Sequence, residues 1–277
     1  MSRQVVFTDL DGTLLDLETY SFQASAPAVK QLQNEGTPVI FCSSKTRVEQ
    51  EQLRSALGVI DPFIVENGSA IFIPSGYFKN VDIPHEQING YQVIKLGQSA
   101  DLILNTVNEY RSKFPFSYWG YQDLSLPEIC EITSLAQQDA IKASTRDFSE
   151  TLVKGNFEAL EFHHFCLAME LRGIACVHGS KFVTVMGKFA DKGKAVKLLN
   201  QLYETNCGTK VTSVGIGDSG NDLPMLEAVD RPYLVQKPSG QWHTTDLSSI
   251  TRIDGIASEG WAKVAKELLK DTVSAKL

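Results

Sequence analysis

Short apolar runs alternate with amphipathic segments along the first 65 residues. The runs at 5–7, 39–42 and 63–65 are rich in β-branched and aromatic residues, which is typical of buried strands. The segments at 25–35 and 46–57 repeat apolar residues every three or four positions, and a glycine follows each of them, as it does many helices. This βαβαβ order predicts a parallel sheet with right-handed crossovers.

The middle of the chain follows a different pattern. Segments 70–73 and 77–81 flank a Pro-Ser-Gly turn and predict a β-hairpin. Two long helices are predicted near 103–114 and 157–171, and two short strands within 175–186. The apolar face of the second helix is predicted to contain Phe157, Leu160, His164, Leu167 and Leu171.

The alternation of helix and strand resumes near residue 191. A helix from 193 onward precedes an apolar run at 211–216, and a further strand and a final amphipathic helix follow. We therefore predict an α/β fold. Residues 1–82 and 186–277 are expected to form a Rossmann-like parallel-sheet core, and 83–185 an inserted α+β domain.

Composition and charge restrict the classes of function. The chain has 277 residues, 43% of them hydrophobic, and a formal net charge of −7 without any run of Lys or Arg, which argues against nucleic-acid binding. No apolar stretch approaches the ~20 residues of a membrane span, and no signal sequence is evident, so a cytoplasmic location is expected. The five scattered cysteines lack a CxxC pair and suit reduced thiols.

Two aspartates follow directly after the first apolar run. Asp9 and Asp11 lie at the carboxyl end of a predicted parallel strand, where open α/β sheets bind their ligands. Residues two apart on a strand point the same way, so one carboxylate can attack phosphorus while the other transfers protons. The alternative is a structural pair, because aspartate is common where a strand ends in a glycine turn.

Two further strand or helix ends carry groups suited to phosphate. Ser43 follows the second strand, where its hydroxyl and nearby backbone amides can bind an anion, although helix capping would also explain it. Lys192 lies at a helix start, where a cation is unfavourable unless an anion is near. An ordinary exposed lysine is the alternative there.

The segment Gly217-Asp218-Ser219-Gly220-Asn221-Asp222 repeats the arrangement of the first strand. Asp218 and Asp222 follow a buried strand, and acidic groups so close together repel one another unless a cation lies among them. Mg²⁺ fits this need, because it prefers oxygen ligands and bridges to phosphate. The alternative is a turn-forming Asp218 and an Asp222 that is an acid in the first turn of a helix.

Together these four motifs resemble those of the haloacid dehalogenase (HAD) superfamily of phosphatases. The resemblance implies that Asp9 is the nucleophile and Asp11 the general acid/base. It implies that Ser43, Lys192 and Asn221 bind the phosphoryl group. An acid two places after the nucleophile favours a phosphatase or phosphomutase over a dehalogenase.

The same resemblance implies a metal site and a cap. Mg²⁺ would be held by the Asp9 carboxylate, the Asp11 backbone carbonyl and Asp218, with Asp222 in support. The insertion between Ser43 and Lys192 is where this superfamily places its large type-2 cap.

Within this superfamily, the sequence also resembles the mannosyl-3-phosphoglycerate phosphatase family. It is carried by residues 42–47, 66–68, 120–146, 146–150 and 191–195. It implies hydrolysis of a glycosyl-3-phosphoglycerate, such as mannosyl-3-phosphoglycerate, to mannosylglycerate and phosphate. Another sugar- or polyol-phosphate phosphatase, a phosphomutase and a catalytically silent HAD-fold binding protein remain alternatives.

Such a small-molecule substrate has two further needs. Its carboxylate needs a cation and its sugar hydroxyls need carboxylate or amide partners. Candidates for the first role are Arg146, His178, Lys181 and Lys188, and for the second Glu66, Asn67 and Glu150. A surface ion pair on one helical turn is the alternative for Arg146 and Glu150.

Overall fold

The structure is a computed structural model that describes residues 3–114, 118–153, 159–178 and 182–274. Its strands are, in chain order, β1 (Arg3–Thr8), β2 (Val39–Cys42), β3 (Phe63–Val65), β4 (Ala70–Pro74), β5 (Glu86–Ile88), β6 (Tyr91–Lys95), β7 (Trp119–Gly120), β8 (Ser149–Val153), β9 (Ile174–His178), β10 (Phe182–Gly187), β11 (Val211–Gly217), β12 (Arg231–Gln236) and β13 (Thr251–Ile256). Its α-helices are α1 (Ala26–Asn34), α2 (Arg47–Leu57), α3 (Ala100–Lys113), α4 (Leu126–Thr133), α5 (Gln137–Ser144), α6 (Ala159–Glu170), α7 (Lys192–Cys207), α8 (Leu223–Glu227) and α9 (Ala257–Ser274).

The larger sheet has nine strands in the order β13-β12-β11-β1-β2-β3-β4-β6-β5. Neighbours from β13 to β3 pair in parallel, whereas β4, β6 and β5 pair antiparallel at one edge. Strand β1 lies between β11 and β2, and Val5, Val6 and Phe7 are buried on it. Burial on both faces explains why this strand is an unbroken apolar run. The predicted α/β fold with a mainly parallel sheet is confirmed.

Helix α2 leads away from the end of β2 and shows how local signals define the elements. Thr46 and Glu49 form a reciprocal capping box at its start: the Thr46 N–H donates to the Glu49 carboxylate at 2.8 Å. Gly58 ends the helix in the left-handed conformation, with φ of 66°. This cap fixes Glu49 beside the strand-end loop that carries Ser43 and Lys45.

A second, antiparallel sheet has the order β7-β8-β10-β9. Helices α3 and α6 pack on it, and Phe162, Phe165 and Met169 of α6 are buried there. The predicted apolar face of this helix is wrong: His164 and Leu167 are exposed, and Leu171, just past the helix, is 88% exposed. Apolar residues occur on more than one side of α6, so the sequence pattern did not single out the buried side. Phe157 lies outside the described residues.

The predicted hairpin at 70–81 is also wrong. Strand β4 pairs antiparallel with β6, and residues 77–81 form turns and irregular structure instead of a strand. Strands β5 and β6 both belong to the nine-stranded sheet, so the core extends to residue 95 and not only to the expected boundary at 82. The division into a core and an inserted domain stays a prediction, with its first boundary better placed after β6.

None of the described helices combines the length and the apolar composition that crossing a membrane requires.

Glu66 connects the two sheets. It lies directly after β3, is fully buried, and accepts hydrogen bonds from the backbone N–H groups of Asp147 at 2.9 Å and Phe148 at 3.2 Å. The hydroxyl of Ser149, the first residue of β8, also donates to it. A second contact joins α2 to α5, where the Thr46 hydroxyl donates to the Lys142 carbonyl at 2.9 Å. These bonds fix the smaller sheet over the carboxyl edge of the larger one.

Gly68 provides the close approach that positions α7. Its φ is +91°, and a Cβ there would overlap the backbone carbonyl of Asp191. We expect Gly68→Ala to lower the free energy of unfolding by about 3 kcal/mol, through left-handed strain and overlap together. Gly76→Ala is the matched control, since its φ is +81° and its Cβ would lie in open space, so it should cost only about 1 kcal/mol. Urea unfolding of both variants measures the difference, and equal losses would contradict the packing argument.

Candidate active site

Four chain segments meet at the carboxyl edge of the larger sheet. Asp9 follows β1, and its backbone N–H donates to the Ile216 carbonyl on β11 at 2.9 Å, so the ladder continues through it. Asp218 follows β11 on one side, and Ser43 follows β2 on the other. Ser43 is buried, and its carbonyl accepts from the Asn67 N–H at 2.9 Å. Parallel pairing of three neighbouring strands therefore brings these residues to one edge.

Lys192 completes the arrangement from the start of α7. Its side chain is 1% exposed, and its Nζ lies 2.7 Å from Asp9 Oδ1 and 2.7 Å from Asp222 Oδ1. Burial alone would lower the pKa of Lys192, but Asp222 and Asp9 outweigh it and raise that pKa. The exposed-lysine alternative is therefore wrong. A cation at a helix start is accounted for by two carboxylates.

Three buried aspartates form a compact anionic cluster. Asp9, Asp218 and Asp222 each offer an oxygen within 4.8 Å of the others. Burial and the nearby Asp222 raise the pKa of Asp218 to about 7, and the same two causes raise that of Asp9 although Lys192 opposes them. Negative charge is thus in excess here, and an all-carboxylate donor set suits a divalent cation.

Asp222 differs from the other two because both of its carboxylate oxygens have partners. Its Oδ1 faces Lys192, while its Oδ2 accepts from the backbone N–H groups of Asp218 at 3.0 Å and Ser219 at 3.1 Å. It therefore holds the loop that carries Asp218. Asn221 is exposed, and its side-chain oxygen accepts from the Ser219 hydroxyl at 2.5 Å. The structure does not bring Asn221 against Lys192, and its phosphate-binding role stays a prediction.

Asp11 lies on the side of the cluster that faces the smaller sheet. Its Oδ2 forms an ion pair with Lys45 Nζ at 3.0 Å, and Lys45 also contacts Glu49 at 3.4 Å. Burial raises the pKa of Asp11, with Lys45 opposing it. Burial would lower the pKa of Lys45, but Asp11 and Glu49 raise it, so Lys45 remains charged.

Arg146 approaches the same place from the smaller sheet's side. Its guanidinium donates to the Ser44 carbonyl at 3.1 Å and to the Ser149 hydroxyl at 2.8 Å. Glu150 lies on strand β8, so the alternative of a pair on one helical turn is wrong. The buried Glu150 accepts from the backbone N–H groups of Tyr121 and Thr151.

The remaining substrate-binding candidates lie in different surroundings. Glu66 is occupied by the 147–149 segment as described, which favours a positioning role for it, and the buried Asn67 lies beside it with φ of 59°. Lys188 is 40% exposed and pairs with Glu170 on α6 at 2.7 Å, so it does not line the cavity beside Asp11. Lys181 and the side chain of His178 lie outside the described residues. The ligand roles of all these residues stay predictions.

A cavity of about 210 Å³ lies between the two sheets at this edge. Its lining includes Asp11, Lys45 and Glu49 from the larger sheet's side and Tyr121, Arg146 and Thr151 from the other. A larger cleft of about 1440 Å³ lies at the amino ends of β1, β2 and β11, and none of its lining residues belongs to the four motifs. Because Asp11 of the first motif lines the smaller cavity, that cavity, and not the larger cleft, is the candidate active site.

Residues 6–239 match the family of haloacid dehalogenase-like hydrolases. The chain belongs to this family. Three relatives span nearly its whole length. A glucosyl-3-phosphoglycerate/mannosyl-3-phosphoglycerate phosphatase of Persephonella marina is 35% identical over 268 residues, which are 96% of this chain and 97% of that protein. A protein of the same name from Methanococcoides burtonii is 37% identical over 273 residues, with 96% and 97% covered. A mannosyl-3-phosphoglycerate phosphatase of Pyrococcus furiosus is 38% identical over 253 residues, with 91% and 98% covered.

Solved structures share the fold of this haloacid dehalogenase-like hydrolase. A protein of Thermoplasma acidophilum superposes with a TM-score of 0.67 at 18% identity, covering 96% of this chain and 98% of that one. A phosphatase of the HAD superfamily from Bacteroides thetaiotaomicron gives a TM-score of 0.65 at 18% identity, covering 96% and 95%. The predicted resemblance to the superfamily is confirmed.

Two residues outside the four motifs orient the Asp9 backbone of this haloacid dehalogenase-like hydrolase. The indole N–H of Trp261, on α9, donates to the Thr8 hydroxyl at 2.9 Å, and that hydroxyl donates to the Asp9 carbonyl at 2.7 Å. Both side chains are fully buried. No local signal in the sequence joins them, because they lie 253 residues apart.

Proposed function

We propose that the chain is a Mg²⁺-dependent phosphatase that hydrolyses mannosyl-3-phosphoglycerate or its glucosyl counterpart to the glycosylglycerate and phosphate. The observation that carries the phosphatase activity is the buried Lys192, which lies 2.7 Å from Asp9 at the end of the central strand, beside Asp218. The substrate class is supported by the names of relatives that are 35–38% identical over almost the entire chain. A cytoplasmic location stays a prediction.

The first step is transfer of the phosphoryl group to Asp9. An Asp9 carboxylate oxygen attacks phosphorus, the bond between phosphorus and the ester oxygen breaks, and Asp11 gives its proton to the departing oxygen. Lys192, paired with Asp9 in the free protein, lies where the phosphoryl oxygens arrive and stabilises their charge. Ser43 adds a hydroxyl at the same edge.

Hydrolysis of the aspartyl phosphate completes the cycle. A water molecule attacks phosphorus, Asp11 takes its proton, and the bond between phosphorus and Asp9 breaks. Phosphate leaves, and the Asp9 carboxylate and the Asp11 proton are both restored. The smaller sheet, fixed over the site by Glu66, limits the access of water to this intermediate.

The aspartate cluster fits the Mg²⁺ site. Asp9 and Asp218 would hold the ion with the backbone carbonyl of Asp11, while Asp222 keeps the loop and Lys192 in place. Bound there, Mg²⁺ neutralises charge on the phosphoryl oxygens.

Stabilisation by Mg²⁺ is expected to depend on pH. Because the pKa of Asp218 is about 7 without metal, Asp218 is largely protonated at pH 5.5 and ionised at pH 8, and only the ionised form binds the ion well. Saturating Mg²⁺ should therefore raise the melting temperature at pH 8 by about 2–4 °C for each kcal/mol of binding free energy, and by much less at pH 5.5. Thermal unfolding with Mg²⁺ and with EDTA at both pH values measures this. The Asp218→Asn variant should show little Mg²⁺ effect at either pH, and an unchanged effect there would remove Asp218 from the site.

A phosphate-release screen tests the function itself. Mannosyl- and glucosyl-3-phosphoglycerate should have kcat/KM values at least about 100-fold above those of simple sugar phosphates and glycerol phosphates. Preference for a simple sugar phosphate would redirect the assignment to another sugar phosphatase. Return of the phosphoryl group to product instead of to water would indicate a phosphomutase. Absence of phosphate release from all of them would refute the proposed function.

A further inference from the structure

Lys45 has no role in the reaction described above, yet it contacts the acid/base residue directly. Its Nζ lies 3.0 Å from Asp11 Oδ2, 3.4 Å from Glu49 Oε1 and 5.0 Å from the centre of the Tyr20 ring. Asp11 Oδ1 is buried and has no hydrogen-bond partner among the described residues. The ion pair therefore occupies one oxygen of the carboxyl group that must reach the departing ester oxygen.

A second cation borders the same small cavity. Arg146 also lines it, and its guanidinium is held in place by the Ser44 carbonyl and the Ser149 hydroxyl. Thr151 adds a polar group to the wall. The two cations share the lining of this cavity of about 210 Å³ with the carboxylates of Asp11 and Glu49, so a substrate carboxylate can bind there by replacing one of these acids as the partner of a cation, and charge-assisted hydrogen bonds to a carboxylate are strong.

Resting on the proposed function, we propose that Lys45 determines specificity for an anionic leaving group. The Lys45 ammonium binds the carboxylate of that leaving group and releases the carboxyl group of Asp11, which is then free to face the scissile ester oxygen. Because the substrate carboxylate replaces that of Asp11, the charge of Lys45 stays paired throughout. Glu49, fixed by the capping box of α2, anchors Lys45 while its other partner changes.

The proposal predicts a coupling between leaving-group charge and the availability of Asp11. An ester without the carboxylate leaves Lys45 paired with Asp11, so its phosphoryl transfer is slow even though the phosphate sites at Asp9 and Lys192 are intact. If Lys45 served only to support the fold, its replacement would lower the rates for substrates with and without the carboxylate by the same factor.

The test compares mannosyl-3-phosphoglycerate with its carboxyl methyl ester, which lacks one negative charge. The parent protein should prefer the acid by about 100-fold in kcat/KM. Lys45→Met should lose rate on the acid, which no longer has its ammonium partner, and gain rate on the methyl ester, because Asp11 is no longer held by Lys45, so that the preference falls from about 100-fold to less than about threefold. Lys45→Arg should retain part of it, because the charge is kept.

Lys113→Met is the matched control, since Lys113 forms an exposed ion pair with Glu109 on α3. It should leave both rates unchanged. A readout that needs no variant is inhibition of the parent: glycerate should compete with substrate, whereas glycerol at the same concentration should not.

The outcomes separate the two claims. Two outcomes would overturn the role of Lys45 while leaving the phosphatase assignment intact. One is an equal loss of rate on the acid and on its methyl ester in Lys45→Met. The other is a parent protein that does not distinguish the acid from its methyl ester, or glycerate from glycerol. If the parent protein releases phosphate from neither the acid, nor its methyl ester, nor any sugar phosphate, the proposed function is refuted, and this inference with it.

Discussion

Phosphate release by Asp9→Asn is expected to fall about 10⁴-fold or more, because the amide oxygen of asparagine is a poor nucleophile and cannot form the aspartyl phosphate. The replacement also removes one expected ligand of Mg²⁺. Lys192 keeps Asp222 as a partner, so its charge remains paired. The loss should appear in kcat as well as in kcat/KM, since the missing bond belongs to the reaction itself.

The same variant should remain as stable as the parent without metal. Burial and Asp222 raise the pKa of Asp9, which means that its ionised form is disfavoured in the folded protein despite Lys192. A neutral amide removes that cost at pH 7. Initial rates and urea unfolding check both expectations, and Asp101→Asn, an exposed acid in the first turn of α3, serves as the control. Retention of more than a tenth of the parent rate would exclude Asp9 as the nucleophile.

Local signals were sufficient for the elements that surround Asp9. The run from Val5 to Phe7 is buried on both faces, and α2 has both its caps, so each could be recognised from its own residues. The hairpin failed because strand pairing is not local: β4 takes β6 as its partner. Tyr77, instead of lying on a strand, shares a hydrogen bond of 2.8 Å between hydroxyls with Tyr203 on α7.

The site was predictable to the extent that parallel strands end at one edge. That rule indicates that Asp9, Ser43 and Asp218 lie together, and the structure brings them there with Lys192. Their catalytic roles stay predictions. Lys45 could not be assigned in this way, because its pairing with Asp11 depends on how two loops fold against each other.

Lys192→Met is expected to lower the free energy of unfolding by about 3–5 kcal/mol at pH 8 without metal, since it leaves buried carboxylates without their counterion. The raised pKa of Lys192 means that its stabilising charge is fully present in the parent at neutral pH. The variant lacks this charge and therefore loses the whole of its contribution at that pH. Phosphate release should fall with it by about 10²–10⁴-fold.

The pH dependence of that loss has a definite sign. Folded-state pKa values of Asp9 and Asp218 are already raised, to about 7 for Asp218, and removal of Lys192 raises them further. Carboxyl groups that hold protons more tightly in the folded state destabilise it as pH rises through the interval between their unfolded and folded pKa values. The variant should therefore recover much of its stability at pH 5, where these groups are protonated. Urea unfolding in EDTA at pH 5 and pH 8 measures the difference.

A double variant separates charge from packing. Lys192→Met with Asp222→Asn removes one cation and one of its two partners, and the asparagine can still accept the N–H bonds of Asp218 and Ser219 through its side-chain oxygen. We expect it to regain about half of the stability lost at pH 8 while phosphate release stays low. If Lys192 acts mainly by filling space, the double variant will be no more stable than the single one, and the loss will be the same at pH 5 and pH 8. Recovery of stability at pH 8 would show that Lys192 stabilises the acidic cluster through its charge and not through its volume.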